Sequence, residues 1–197
     1  MGAPRPPSRG FTLIELMVTL TLLGILVALS IPSFTSWLRN SQIRTVAEAL
    51  QSGIRMAQGE AVRRNRQVVM YFTNANPASG STAVAGGKNW ALQTVAQFGE
   101  TAEFIAGGKL TDIASSVAIA NDQAATAICF NSNGRVVANA SPGVSGASCP
   151  AAATVFNVTM TGADRPLRVM LQLGGQLRMC DPNRPQLSST SPDGCPA

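Results

Sequence analysis

The chain opens with a short polar segment that leads directly into its longest apolar run. Residues 1–10 (MGAPRPPSRG) contain three prolines, a composition that disfavours a stable helix. Residues 11–31 (FTLIELMVTLTLLGILVALSI) carry a single charge, on Glu15. As a helix rising about 1.5 Å per residue, this run would be roughly 31 Å long and would match the hydrocarbon core of a bilayer. We therefore predict a transmembrane helix over residues 11–31.

The apolar run differs from that of a cleaved secretory signal. Such signals have an apolar region of about 7–15 residues that ends at a small-residue cleavage site. The run here is longer, and no A-x-A site followed by a loop comes after it, so we expect it to stay in the protein. Arg5 and Arg9 flank its N-terminal end. The positive-inside rule then predicts that this end is cytoplasmic and that the rest of the chain is exported.

Helical patterning resumes directly after Pro32. Apolar residues recur at three- and four-residue spacing and form one stripe, while Arg44 and Glu48 can pair across one turn on another face. We predict one helix over about residues 11–64, bent at Pro32, in which residues 32–66 are an amphipathic continuation that packs its stripe on a domain. The stripe consists of Ile43, Val46, Ala47, Leu50, Ile54, Ala57 and Ala61.

From residue 67 onward the pattern changes to short β-like runs that are separated by turns. Asn133 and Gly134 form a tight-hairpin signal between two of these runs. The region is long enough to build a modest core against the helix stripe. We predict an α+β fold, in which the long N-terminal helix packs on an antiparallel β-sheet domain over residues 67–197. The runs cover residues 67–72, 90–98, 127–130, 135–137, 155–161, 167–173 and 176–180.

Composition excludes several classes of function. Hydrophobic residues make up 45% of the chain and charged residues 13%, which is too apolar for a disordered chain. The formal charge of +5 is mild, and it is compatible with an anionic partner without indicating one. The sequence has no histidine, so Ser-His-Asp and Cys-His catalysis and histidine metal sites are excluded. We predict no enzymatic activity, no metal site and no cofactor.

The four cysteines all lie in the last third of the chain and form no C-x-x-C pair. An even number of separated cysteines behind an export signal is typical of disulfides in an oxidising compartment. We favour the nearest-neighbour pairs, Cys129 with Cys149 and Cys180 with Cys195. The second pair would close a loop of about 16 residues and contribute about 3 kcal/mol. The other two pairings, and unpaired buried thiols, remain alternatives.

The junction between leader and helix carries the most specific motif. The segment RGFTLIE (residues 9–15) joins a basic leader to an apolar helix through a Gly–Phe step, with an acid five residues after the glycine. It resembles the type III signal of type IV pilins and type II secretion pseudopilins. The resemblance implies that a membrane aspartyl peptidase cuts after Gly10 and N-methylates Phe11. A glycine there is easily drawn into the extended form that a protease binds.

Glu15 is the residue that this resemblance explains best. A lone acid in a bilayer core costs about 2.5–3.5 kcal/mol on insertion scales, and cleavage at Gly10 would create a positive α-amine four residues away. In assembled members of the family, that amine and the acid of a neighbouring subunit are thought to neutralise each other. The alternative is an acid near the helix end that reaches the lipid headgroups.

Gly24 and Pro32 bracket a stretch that loses helicity in assembled pili of this family. Glycine weakens a helix by about 1 kcal/mol and proline by about 3 kcal/mol. The resemblance therefore implies that these two residues assist assembly. A bend that is fixed in every state is the alternative.

The rest of the chain resembles the GspH/FimT branch of minor pilins and pseudopilins. The similarity lies in residues 47–72, the CFNSNGRVV hairpin (129–137) and the QLRMCDP segment (176–182). It implies a long N-terminal helix packed on a β-sheet domain and a subunit, present at low abundance, that helps to prime or cap a filament. The two expected disulfides and the FimT-like C-terminal loop favour a minor pilin of a type IV pilus. Its partners would be other pilins or pseudopilins, the prepilin peptidase and the inner membrane, with the C-terminal domain in the periplasm. A pseudopilin of a type II secretion system is the main alternative, and a major pilin is another.

A further alternative is DNA binding for natural transformation. Some FimT-like minor pilins bind DNA through a Gly-Arg-x-Arg motif. In the matching stretch here, residues 175–178, Gln176 replaces the first arginine and Arg178 is retained. Arg165, Arg168 and Arg184 could add phosphate contacts, although Asp164, Asp181 and Asp193 offset much of their charge. A solvated basic rim is the competing interpretation.

Overall fold

The computed structural model describes residues 11–97 and 99–196 and places a long helix before a β-rich domain. The predicted leader, residues 1–10, and its residues Arg5, Arg9 and Gly10 lie outside the described part. The elements are helix α1 (Leu13–Arg64), strands β1 (Val68–Thr73), β2 (Asn89–Thr94) and β3 (Phe104–Lys109), a short 3-10 helix (Leu110–Asp112), and strands β4 (Ala118–Asn121), β5 (Ala127–Phe130), β6 (Val136–Val137), β7 (Thr154–Thr159), β8 (Leu167–Leu171) and β9 (Leu177–Cys180).

Helix α1 is continuous over 52 residues and passes through Pro32 without interruption, which gives it a length of about 78 Å. Its start is capped by Thr12, whose hydroxyl oxygen accepts a hydrogen bond from the N–H of Glu15 at 3.2 Å. It ends at Asn65, which adopts the left-handed conformation with φ 50° and returns its N–H to carbonyl oxygens of the last turn. The single long helix predicted from the sequence is confirmed.

The two halves of α1 have opposite environments. Every residue from 11 to 35 is exposed, whereas the apolar stripe that begins at Ile43 is buried along its whole length, as predicted. Within the described residues, α1 is the one helix long and apolar enough to cross a membrane, and none of its most apolar stretch is buried in the protein. Only the second half of α1 is therefore used by the fold.

The β domain consists of two antiparallel sheets. The strand order is β3-β2-β1-β5-β6 in the first sheet and β4-β7-β8-β9 in the second. The antiparallel β domain was predicted from the sequence. Its division into two sheets and the strands β3 and β4 were not predicted. The segment FIAGGK of β3 contains two glycines and AIAN of β4 has one large apolar residue, so neither carries a strong strand signal. Strand β2 ends at Thr94, earlier than the predicted run.

The core lies where the buried stripe of α1 meets both sheets. Phe72 from the first sheet and Phe156 from the second pack together there, with ring centroids 5.4 Å apart. A smaller apolar cluster covers the opposite face of the first sheet, around Val69 and Tyr71. Strand β1 is therefore buried on both faces, which agrees with its run of five apolar residues from Val68 to Phe72.

Two helix residues fix the position of α1 on the sheets. The side-chain amide of Gln58 donates to the carbonyl oxygens of Gly134 at 3.1 Å and Gly175 at 2.7 Å, and so holds a turn from each sheet. Gly53 faces the indole of Trp90, and a Cβ at this position would lie 2.8 Å from the ring. A Cβ on Gly108 would likewise lie 2.5 Å from the same indole. The two glycines thus form a slot for Trp90.

Candidate assembly and membrane interface

The exposed half of α1 forms a continuous apolar surface. Large side chains such as Phe11, Leu13, Leu20 and Leu26 are each more than half exposed. Residues 11–38 contain one charged side chain, Glu15. Such a surface is unfavourable in water and is typical of a segment that is buried in lipid or against other helices.

Most hydroxyl groups in this half of α1 donate hydrogen bonds to carbonyl oxygens of the same helix. The hydroxyls of Thr19, Thr21 and Ser30 donate to backbone carbonyl oxygens one turn earlier, at 2.9 Å. This pattern removes the main cost of placing hydroxyl groups in hydrocarbon. Within residues 11–97 and 99–196, the structure pairs the Glu15 carboxylate with no cation. Glu15 is thus the one ionic group of this surface, and it has no cationic partner among the described residues.

Gly24 and Pro32 both lie inside α1 in this structure. No atom would contact a Cβ on Gly24 within 4 Å, so the glycine is not required by packing within the chain. The proposed roles of these two residues in assembly remain predictions.

The domain first meets α1 at Arg39 and Asn40. A guanidinium nitrogen of Arg39 donates to the carbonyl oxygen of Gly162 at 3.0 Å. The side-chain oxygen of Asn40 accepts from the backbone N–H groups of Asp164 and Arg165, both at 3.1 Å. These contacts fix the turn between β7 and β8 at the level where the apolar half of α1 ends. Sequence reasoning did not identify them.

An exposed aromatic pair lies just before this contact. Phe34 and Trp37 are 61% and 62% exposed, and their ring centroids are 5.8 Å apart. Tryptophan and other aromatic side chains favour the boundary between hydrocarbon and water. The position of Trp37 shortly after the apolar run is a signal that sequence reasoning could have used.

The C-terminal end of α1 carries an ionic cluster. Glu60 accepts from Arg63 at 2.5 Å and from Arg64 at 2.8 Å, while Arg64 also contacts Glu103 at 2.5 Å. Hydrogen bonds from the two guanidinium groups lower the pKa of Glu60 to about 2. The cluster ties the helix end to the loop before β3, and we assign it a structural role.

The four cysteines form two disulfides, Cys129–Cys149 and Cys180–Cys195. These are the nearest-neighbour pairs that the sequence analysis favours. The first holds the loop after β6 against the outer face of the first sheet, where Cys149 and Ala147 belong to the same buried cluster as Tyr71. The second closes the C-terminal loop on β9.

The four arginines considered for DNA binding all have partners within the chain. Arg165 lies 3.5 Å from Asp181 and Arg184 lies 3.5 Å from Asp193. Arg168 donates to the side-chain oxygen of Asn157 at 2.9 Å, and Arg178 donates to the carbonyl oxygen of Pro192 at 3.1 Å. The register of β8 and β9 puts Arg168 and Arg178 on one face of the second sheet. DNA binding stays a prediction that no observation favours.

Comparison with known families identifies two regions of the chain. Residues 5–31 match the prokaryotic N-terminal methylation motif. Residues 46–175 match the family described as type II transport protein GspH. The first region spans the predicted cleavage junction and the apolar run, and the second spans most of the buried part of α1 and strands β1 to β8.

Individual relatives and one solved structure agree with these matches. The type IV major fimbrial protein FimA of Dichelobacter nodosus is 32% identical over 89 residues, which cover 44% of this chain and 51% of that protein. The type IV narrow pilus major component PilA5 of Thermus thermophilus is 34% identical over 88 residues, covering 42% of this chain and 69% of that protein. The chain spans about half the length of the FimA relative that it matches.

The crystal structure of the type IV minor pilin FimU of Pseudomonas aeruginosa is similar in fold. It has 18% sequence identity and a TM-score of 0.51, and the match covers 81% of this chain and 98% of that one. This likeness supports the architecture alone. Because the GspH family match covers well over half of the residues, the chain belongs to the GspH family of type IV pilins and pseudopilins, whose members are structural subunits and not enzymes.

Proposed function

We propose that this protein is a minor pilin, a structural and priming subunit of a type IV pilus. It is made as a precursor that the prepilin peptidase cuts after Gly10 and methylates on Phe11. Residues 11–31 anchor it in the inner membrane, and the domain of residues 67–197 lies in the periplasm. The observation that carries the proposal is the exposed apolar half of α1, which the domain leaves uncovered over residues 11–35.

The same surface serves two successive states. In the membrane it contacts lipid, and in the filament it packs against the corresponding helices of other pilins. Glu15 fixes the axial position of one helix relative to the next, because its carboxylate would pair with the α-amine that cleavage creates on Phe11 of an adjacent subunit. The absence of any other charge from residues 11–38 makes Glu15 the one ionic determinant available there.

Mass spectrometry of the protein purified from its native membrane tests the processing step. We expect a mature chain that begins with N-methylated Phe11. Gly10→Val should leave the precursor uncut, because a branched side chain at the scissile junction hinders the extended backbone that the peptidase binds. Ala3→Val adds similar bulk to the leader away from the junction and should be processed normally. An intact leader in the wild type, or a start well after Phe11, would contradict the proposal.

A pseudopilin of a type II secretion system is the second candidate. It is favoured by the match of residues 46–175 to the GspH family. Deletion of the gene separates the two candidates. Loss of surface motility driven by pilus retraction, with normal protein secretion, is expected for the minor pilin. Accumulation of secreted enzymes in the periplasm, with normal motility, would identify the pseudopilin.

A further inference from the structure

Helix α1 consists of two parts that differ in what keeps them helical. Every residue from 11 to 35 is exposed, so the β domain gives this first part no cover. From Ile43 onward the apolar stripe is buried in the core with strands of both sheets. Most of the stability of a helix in a protein comes from such packing, because an isolated helix is marginal in water. The second part is therefore stabilised by the domain, whereas the first depends on its surroundings.

Two residues weaken the first part further. Gly24 and Pro32 both lie inside α1, where glycine and proline are the least favourable residues for a helix. Pro32 also has no N–H to donate to the carbonyl oxygen one turn earlier. When neither lipid nor neighbouring helices support this part, local unfolding can spread along α1 until it reaches residues that the domain holds.

Arg39 and Asn40 are the first residues of α1, within the described chain, that form hydrogen bonds with the domain. The side-chain oxygen of Asn40 accepts from two consecutive backbone N–H groups of the turn between β7 and β8. The guanidinium group of Arg39 donates to the carbonyl oxygen of Gly162 in the same turn. A Cβ on Gly162 would clash with this guanidinium group, so the glycine leaves the space that Arg39 fills. We refer to Arg39, Asn40 and the turn 162–165 as the junction.

The turn of the junction is itself attached to the C-terminal loop. The side-chain amide of Asn183 donates to the carbonyl oxygen of Asp164 at 3.2 Å, and its backbone N–H donates to the carboxylate of Asp181 at 2.9 Å. Arg165 lies 3.5 Å from the same carboxylate. Asp181 directly follows the cysteine whose disulfide closes the C-terminal loop. The junction therefore connects α1 to a cross-linked part of the domain.

We propose that the junction is the boundary at which unfolding of α1 stops. It divides the helix into a part before residue 39 that changes with its surroundings and a part from residue 40 that stays fixed to the domain. The inference rests on the proposed function for its use, since residues 11–38 exchange lipid for the helices of other pilins during assembly. The boundary lets this part adjust without loosening the domain, and Arg39 and Asn40 are positioning residues for it.

Amide hydrogen exchange of the full chain in nonionic detergent, resolved to single residues by mass spectrometry, tests the boundary. Each helical N–H bonds four residues back, so unfolding that stops at residue 39 leaves the amides from residue 44 onward protected. In the wild type we therefore expect faster exchange over residues 37–43 than over residues 44–61. Asn40→Ala should let unfolding continue to Ile43, the first buried residue, and raise exchange at residues 44–47 about tenfold, as expected for the loss of buried hydrogen bonds.

Helix propensity alone predicts the opposite change. Alanine is a better helix former than asparagine or serine, so by propensity both Asn40→Ala and Ser41→Ala would slow exchange. Ser41 is the exposed neighbour of Asn40, and Ser41→Ala is the matched control that should not accelerate exchange at residues 44–47. Asn40→Asp keeps an acceptor for the two N–H groups of the turn and should retain the wild-type rates. Arg39→Gln leaves Asn40 in place and gives a milder second test, with about threefold acceleration expected over the same residues.

Several results would overturn the boundary. These are equal protection of residues 37–43 and 44–61 in the wild type, unchanged exchange in both Asn40→Ala and Arg39→Gln, or the same acceleration in Ser41→Ala. Acceleration that extends along the whole stripe to Ala61 would assign Asn40 to the stability of the entire domain and would also overturn it. An uncut leader in the native protein would instead contradict the proposed function and leave the exchange result unaffected, so the two failures are distinguishable.

Discussion

Glu60 is the residue whose ionisation is most strongly altered by the fold. Its pKa is lowered to about 2 by hydrogen bonds from Arg63 and Arg64, against about 4.3 for an unfolded glutamate. A carboxylate whose pKa is depressed on folding stabilises the protein fully above its unfolded pKa. That contribution is lost as the pH falls through the window between the two values.

We predict that Glu60→Gln removes part of the acid sensitivity of the protein. Between pH 5 and pH 2 the melting temperature of the wild type in nonionic detergent should fall more steeply than that of the variant, which has no carboxylate to protonate at this position. Circular dichroism melts of both full-length chains across this range measure the difference. Parallel curves would show that Glu60 gains no stability from its arginine partners.

The two helix glycines at positions 53 and 59 should respond in opposite directions to alanine. Gly53→Ala places a Cβ 2.8 Å from the indole of Trp90, which also packs closely against Gly108. Overpacking of this kind costs about 1–3 kcal/mol and should outweigh the gain in helix propensity. Gly59→Ala meets nothing within 4 Å and should stabilise by up to about 1 kcal/mol. Thermal unfolding of both variants tests this pair, and stabilisation by Gly53→Ala would contradict the slot.

Among the elements, α1 could be predicted well and the sheets only in part. The stripe from Ile43 to Ala61 keeps a helical period across several turns, and helix packing depends on that period alone. Strands β3 and β4 are stabilised by pairing with β2 and β7. Their own small residues have little intrinsic preference for a strand, so the local sequence does not predict them. The division into two sheets depends likewise on contacts between distant segments.

The residues of the candidate site also differ in whether the sequence alone could identify them. Gly10, Phe11 and Glu15 stand in one short segment, so a local motif identifies them without any structure. The contact at the start of the domain joins Asn40 of α1 to Asp164 and Arg165, which are more than a hundred positions away. No spacing in the sequence indicates that the turn before β8 lies beside Asn40, so this part could be found only in the folded chain.

The loop after β6 depends on its disulfide to remain on the first sheet. Replacing both Cys129 and Cys149 with alanine should destabilise the protein by about 3 kcal/mol, the usual contribution of a loop of this size, and should expose Tyr71. Chemical denaturation of the oxidised wild type and of the double variant measures the loss. The same double replacement at Cys180 and Cys195 is the comparison, because it frees a mostly exposed loop and should leave Tyr71 buried. Equal quenching of Tyr71 fluorescence in both variants would contradict the covering role.

At the scale of the whole molecule, one substitution should affect membrane anchoring and incorporation into the filament in opposite directions. Glu15→Leu should strengthen membrane anchoring, because it removes an acid that costs about 2.5–3.5 kcal/mol in lipid. It should nevertheless lower the amount of this subunit in sheared filaments by about tenfold or more, since loss of a hydrogen-bonded charge pair is worth about 1.5–3 kcal/mol.

Immunoblots of the membrane and filament fractions measure both quantities in one strain. Glu48→Gln alters another acid of α1, one that pairs with Arg44 at 2.8 Å on the surface, and should change neither fraction. If Glu15→Leu entered filaments as well as the wild type, apolar packing alone would drive assembly and the carboxylate would have no role in it. If it were lost from the membrane as well, the acid would be needed for folding or stability. Retention in the membrane with exclusion from the filament is the one result that assigns Glu15 to the contact between subunits.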